Sequence, residues 1–218
     1  MSKQPALYRP RHAVVLAHPN PTSFNGLVAD AWCEAVRACG QEAIVRDLYA
    51  LGFDPLLQDH ERPGIPGFHL SADVEAELDA IRGSDVVVLV YPIWFGLPPA
   101  MMKGYVDRVL GAGVTPDQVR HRTADTMLRG KRLICITSSG ASSAWLDAQG
   151  QMESLRQLSG RYLQHAFGMK PCEFLHFGET VEGLDQAFVD ANLARVDDGA
   201  RTVCAAIAHA RAAQEHRP

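Results

Sequence analysis

Three short segments carry the residue types that could do chemistry, and each follows an apolar run. The first is His18-Pro19-Asn20-Pro21-Thr22-Ser23-Phe24-Asn25. Thr22 and Ser23 offer hydroxyl donors. Backbone N–H groups at a helix start lack partners, and the helix dipole favours an anion there. His18 can add a charge-assisted hydrogen bond, and the two prolines stiffen the turn. This chemistry is phosphate binding. The same residues also suit a plain capped helix, with Thr22 or Ser23 as N-cap and Asn25 as a local cap.

The second segment is Tyr91-Pro92-Ile93-Trp94-Phe95-Gly96-Leu97-Pro98-Pro99. Trp94 and Phe95 can pack against a flat ring system, and Gly96 permits close backbone approach. Local packing, or packing on another subunit, is the competing use of both aromatics. The third, Thr137-Ser138-Ser139-Gly140, is small and donor-rich. It suits the polar edge of a ring, or an ordinary solvent-facing turn.

Other chemistries lack their signatures. Neither Gly-x-Gly-x-x-Gly nor a Walker lysine follows the first strand, where each belongs. Gly-x-Ser-x-Gly is absent, which removes the usual serine-hydrolase elbow. The five cysteines, Cys33, Cys39, Cys135, Cys172 and Cys204, form no Cys-x-x-Cys pair and read as structural thiols. The histidines are scattered, so no metal site is expected. Net charge is −4, which gives no reason to expect a nucleic-acid surface. No apolar run is long enough to span a membrane, and no signal-peptide core is evident, so cytoplasm is the expected location.

The elements that must position these segments alternate regularly. Strands are expected at Ala13 to Ala17, Glu42 to Arg46, Asp85 to Val90, Lys131 to Thr137 and Cys172 to Phe177. Helices are expected at Phe24 to Ala38, Ser71 to Ile81, Pro98 to Leu110, Gln151 to Phe167 (bent at Gly160) and Asp185 to about Ala213 (with a break near Gly199). A tail carrying His216 follows. Long irregular stretches cover Asp47 to His69 and Gly111 to Gly130. With 218 residues and 47% apolar composition, a single domain over 1–218 is expected. The pattern predicts a three-layer α/β fold, with five parallel strands in order 2-1-3-4-5 and helices on both faces. Ligands in such sheets bind at the carboxyl ends of the strands, where the three segments fall.

Four stretches resemble the flavodoxin-like NAD(P)H:quinone oxidoreductase family, which includes the DT-diaphorase type and bacterial relatives. They are HPNPTSFNG (His18 to Gly26), RDLYALGFDPLL (Arg46 to Leu57), YPIWFGLPPAMMKGYVDRVL (Tyr91 to Leu110) and LRGKRLICITSSG (Leu128 to Gly140). The resemblance implies a homodimer that binds FAD, or alternatively FMN, with its active site at the subunit interface. It implies phosphate contacts from His18, Thr22, Ser23, Phe24 and Asn25. Ring contacts would come from Pro92, Ile93, Trp94, Phe95 and Gly96, and from Thr137, Ser138, Ser139 and Gly140. Trp94, Phe95 and Trp145 would wall the acceptor pocket. Lys103, Asp107 and Arg108 are expected to be structural or interfacial.

The implied reaction is ping-pong hydride transfer from NAD(P)H through the flavin to a quinone or related aromatic acceptor. Relatives commonly carry Thr-Thr-Gly-Gly where this chain has Thr137-Ser138-Ser139-Gly140. The tyrosine and histidine that assist hydride transfer in the mammalian type have no counterpart at comparable spacing, and no catalytic acid is assigned. The alternatives are a flavodoxin-like electron carrier and a regulatory subunit of a potassium-efflux system.

Overall fold

The computed structural model describes residues 8–215. His216 lies outside the described residues. Five strands, β1 (Arg11–Leu16), β2 (Glu42–Asp47), β3 (Val86–Pro92), β4 (Arg132–Ser138) and β5 (Glu173–Phe177), form one sheet. All pairings are parallel, and the order is β2-β1-β3-β4-β5, as the alternation predicts.

Both sheet faces are covered, and successive side chains divide between them. Val14, Leu16, Val86, Val88, Val90, Ile134 and Ile136 meet α1 (Phe24–Ala38) and α8 (Gln186–Glu215). Ala13, Val15, Val87, Leu89, Tyr91, Leu133 and Cys135 meet the opposite layer. That layer comprises α2 (Ala72–Arg82), α3 (Ala100–Tyr105), α6 (Gln151–Leu155) and α7 (Leu163–Phe167). Each fully buried aliphatic side chain contributes about 1.5–3 kcal/mol. No helix among the described residues is long and apolar enough to cross a membrane.

Two short helices depart from the sequence expectation. The stretch Gly111 to Gly130 contains α4 (Pro116–His121), and α5 (Ser143–Ala148) follows β4. Six residues are too few to display a 3.6-residue repeat, so their signals are caps. Thr115 Oγ1 accepts from the Gln118 N–H (3.3 Å), while Gln118 Oε1 accepts from the Thr115 N–H (2.8 Å). The Trp145 N–H donates to Ser142 Oγ (3.2 Å). α8 runs unbroken through Gly199; packing of this helix on α1 overrides a single glycine's cost of about 1 kcal/mol. Between α6 and α7 the helix widens to a π-type turn over Arg156–Tyr162, which contains Gly160.

The long irregular stretch after β2 is held from below by one buried ion cluster. Arg108 donates to both Glu61 oxygens (2.8 and 2.7 Å) and to both Asp73 oxygens (2.7 and 3.0 Å). It also bonds the Asp54 carbonyl and lies over the Phe53 ring. The Arg108 guanidinium holds the Glu61 carboxyl down at about 2. Nearby, Pro55 packs directly on α3. A Cβ on Gly104 would sit 2.3–2.4 Å from Pro55 atoms, so only glycine allows this approach. The Phe-Asp-Pro and Lys-Gly segments thus meet as one contact.

A second polar cluster lies in the core. The Trp32 indole N–H donates to His12 Nδ1 (3.2 Å), which leaves His12 Nε2–H to donate to Gln41 Oε1 (3.1 Å). Gln41 Nε2 donates in turn to the Cys204 carbonyl (3.0 Å), tying β1 and α1 to α8.

Candidate functional site

The carboxyl ends of β1, β3, β4 and β5 open on one cavity of about 670 Å³. Its first wall is the β1–α1 turn, from His18 to Asn25. Ser23 is the N-cap of α1, accepting from the Gly26 N–H (3.2 Å). A Cβ on Gly26 would lie 2.8 Å from the Pro21 carbonyl oxygen, so glycine lets the turn fold back over the helix start. Thr22 directs both its N–H (3.0 Å) and its hydroxyl (2.9 Å) at Asn20 Oδ1. The capped-helix reading of this turn therefore holds geometrically, and the same turn lines the cavity.

Asn25 differs from the other polar groups in this wall. It is buried, and its Oδ1 accepts from Ser138 Oγ (2.8 Å). Its Nδ2 amide has no hydrogen-bond partner. A buried unpaired amide costs about 1–3 kcal/mol, which an entering oxygen would recover.

His18 sits at the mouth of this turn. The Asn20 N–H donates to its Nδ1 (3.1 Å), so the neutral ring carries its proton on Nε2. Burial pushes its pKa below the ordinary histidine value. His18 therefore presents a neutral Nε2–H in the unligated protein.

The second wall is Pro92, Ile93 and Trp94. The Ile93 N–H donates to the Ser138 carbonyl (2.6 Å), joining this wall to the third. Trp94 and Leu97 exchange backbone hydrogen bonds (3.0 and 3.1 Å) around Phe95 and Gly96. Both central residues have positive φ, +50° and +83°, which is type I′ turn geometry. A phenylalanine in this region is uncommon, and its side chain is fully exposed. The Trp94 ring stands edge-on to His18, with centroids 5.9 Å apart.

The third wall is Ser138, Ser139 and Gly140. It is locked from behind by His176 on β5. Ser139 Oγ donates to the Ala141 carbonyl (2.9 Å), so it accepts from His176 Nε2–H (3.1 Å). His176 Nδ1 then accepts from the Thr137 hydroxyl (2.8 Å). Of the expected site residues, Phe95, Gly96, Thr137 and Trp145 do not border the cavity. Thr137 is wholly buried beneath it, while Phe95 and Trp145 face outward.

A family profile for the flavodoxin-like fold matches residues 10–199. The chain belongs to the flavodoxin-like fold family. Among curated relatives, NAD(P)H dehydrogenase [quinone] 1 of Rattus norvegicus is 33% identical over 153 residues, which is 62% of this chain and 56% of that one. A Haemophilus influenzae protein named uncharacterized NAD(P)H oxidoreductase is 29% identical over 169 residues, covering 77% and 83% of the two chains. The match thus spans little more than half the length of the rat enzyme. Among solved structures, the NAD(P)H:quinone oxidoreductase of Methanothermobacter marburgensis superimposes with a TM-score of 0.72 at 25% identity, covering 90% and 98%. These relatives carry the names that the four sequence stretches imply.

Within this flavodoxin-like fold, a fourth wall went unrecognised in the sequence. The β5–α8 connection, from Thr180 to Leu184, and Val189 at the start of α8 close one end of the cavity. It is anchored to the third wall by the Thr180 N–H and hydroxyl, both bonding the Ser139 carbonyl (2.9 Å each). Its only sequence signal is turn composition around Gly178 and Gly183. His176 was likewise missed, because its role depends on the Thr137–His176 register between β4 and β5.

Burial pushes both His176 and the core His12 down to about 4. Their folded pKa values lie below the unfolded value of about 6.5. The stability they confer is therefore complete above about pH 6.5 and is lost as pH falls toward about 4. Each contributes a slope approaching about 1.4 kcal/mol per pH unit in that window. Thermal melts across it should show Tm falling with acid, and His176→Asn should flatten part of the slope. An unchanged slope in that variant would remove His176 from the account.

Proposed function

We propose that this chain is a flavin-dependent NAD(P)H:quinone oxidoreductase. The observation that carries the reading is the unpartnered Asn25 amide at a helix N-terminus, in a cavity whose adjoining wall is Ile93 and Trp94. One end lacks an acceptor oxygen, and the other is an apolar face fit for a ring. The names of the relatives support the same reading.

FAD is proposed over FMN. Beyond the phosphate turn the cavity continues along Leu27, Val181, Leu184 and Val189, an apolar floor that would suit a further flat base. When bound, the flavin would accept electrons from NAD(P)H and pass them to a quinone in ping-pong fashion. The chain's own residues bind and orient it. Asn25 Nδ2 and the N-terminus of α1 receive phosphate oxygens, Trp94 and Ile93 flank the ring, and His176 fixes the loop carrying Ser138 and Ser139. No side chain is assigned a proton transfer, since water can protonate a reduced quinone.

A homodimer is proposed with it. Phe95, Leu97, Trp145, Leu158 and Tyr162 are large apolar side chains left exposed on this protomer, and a second copy would cover such groups.

The test begins with an absorption spectrum of gently purified protein, followed by heat release and chromatography of any flavin against FAD and FMN standards. The expected outcome is a yellow protein releasing FAD, with NAD(P)H oxidation that depends on added quinone and gives parallel double-reciprocal lines. A colourless protein that takes up neither flavin would overturn the reading. Flavin binding without quinone-dependent turnover would favour the electron carrier.

A further inference from the structure

We infer that Cys135 and Cys172 form a reversible oxidative modification site, closing to an intramolecular disulfide when exposed to a peroxide. Cys135 lies on β4 and is wholly buried. Cys172 is half-buried, immediately before β5. They stand 37 residues apart in sequence, yet their sulfurs are 3.6 Å apart, in van der Waals contact. Cys135 pairs in register with Phe174, so Cys172, two residues earlier, leans to the same sheet face.

The surroundings hold this arrangement. The Cys135 thiol donates to the Ser159 carbonyl (3.2 Å), inside the π-type turn. Gly160 in that turn lies against Cys172; a Cβ there would sit 3.3 Å from its sulfur. Bonding requires the sulfurs to close to about 2.05 Å. Cys172 is in the segment leading to β5, an edge strand whose one strand neighbour is β4.

The chemistry balances in two steps. The accessible Cys172 thiolate attacks a peroxide oxygen, breaking the O–O bond to give Cys172 sulfenic acid and hydroxide (or alkoxide). Cys135 sulfur then attacks the Cys172 sulfur, forming S–S and breaking S–O, and its thiol proton leaves with hydroxide as water. The net change is two thiols and one hydrogen peroxide to one disulfide and two waters, or one water and one alcohol from an alkyl hydroperoxide. An added dithiol reverses it by exchange.

The test treats the full chain with graded hydrogen peroxide and then blocks free thiols under denaturing conditions. The expected result is loss of two of the five titratable thiols, with mass spectrometry finding a bridged Cys135–Cys172 peptide pair that dithiothreitol releases. Cys172→Ser, a conservative change at a half-buried position, should lose the bridge while the melting curve confirms its fold. Five free thiols after treatment, irreversible oxidation of Cys172 with Cys135 still free, or a bridge mapping to Cys39 and Cys204 would each overturn the inference.

Discussion

Asn25→Asp should raise the flavin dissociation constant about 100-fold, equivalent to about 2.7 kcal/mol. The substitution is nearly isosteric. It keeps the oxygen that accepts from Ser138 Oγ, and it replaces the unpartnered Nδ2 amide by a second, anionic oxygen. If a phosphate faces that atom, a donor becomes a like charge, and such juxtapositions cost several kcal/mol. Without a phosphate, flavin affinity carries no such penalty, and the cost of a carboxylate at this buried position falls on folding stability alone. The two cases separate in the affinity. Titration of the apo-protein with FAD, followed by flavin fluorescence, reads the affinity, and thermal melting of the apo-protein reads the stability. Unchanged FAD affinity in a variant whose melting curve confirms its fold would move the anion site away from Asn25.

Arg108→Met should lower folding stability by about 3–5 kcal/mol. The guanidinium bridges Glu61 and Asp73 and reaches the Asp54 carbonyl. Its removal leaves the wholly buried Glu61 carboxylate without its cation, which is why breaking one partner costs far more than the pair itself contributes. In a chain of this size the loss corresponds to roughly 10 °C in Tm. Arg108→Met combined with Glu61→Gln removes the orphan charge and should recover a large part of it; calorimetry on the singles and the double closes the cycle. The pH dependence follows from the same contact. The Glu61 carboxyl is held at about 2, below its unfolded value, so its contribution is present above about pH 4.3 and is lost as pH falls toward about 2. Arg108→Met should abolish that portion of the acid transition. Additive effects in the cycle would mean that Arg108 and Glu61 do not act together.

The pattern of apolar runs determined the sheet. Val86 to Val90 is apolar at every position, a sequence only a strand covered on both faces tolerates, and glycine and proline punctuation separated it from its neighbours. The strand count and alternation then left the 2-1-3-4-5 order as the simplest solution. The short helices α4 and α5 escaped, since six residues carry caps but no period. The expected break at Gly199 was overridden by the packing of α8 on α1.

For the site, local sequence determined which turns line the cavity, because the carboxyl ends of parallel strands converge whatever the side chains are. His18 to Asn25, Pro92 to Trp94 and Ser138 to Gly140 meet around one cavity on that ground. What tertiary structure alone decided were the long-range pairings. Arg108 finds Glu61 across 47 residues, His176 finds Thr137 and Ser139 through strand register, and Cys135 meets Cys172 across 37. The Thr180 to Leu184 wall is placed by the bonds from Thr180 to the Ser139 carbonyl, 41 residues away. A sequence displays periodicity and caps because they arise between near neighbours. A hydrogen bond or thiol contact between distant residues depends on ångström-scale placement, which only the folded chain sets.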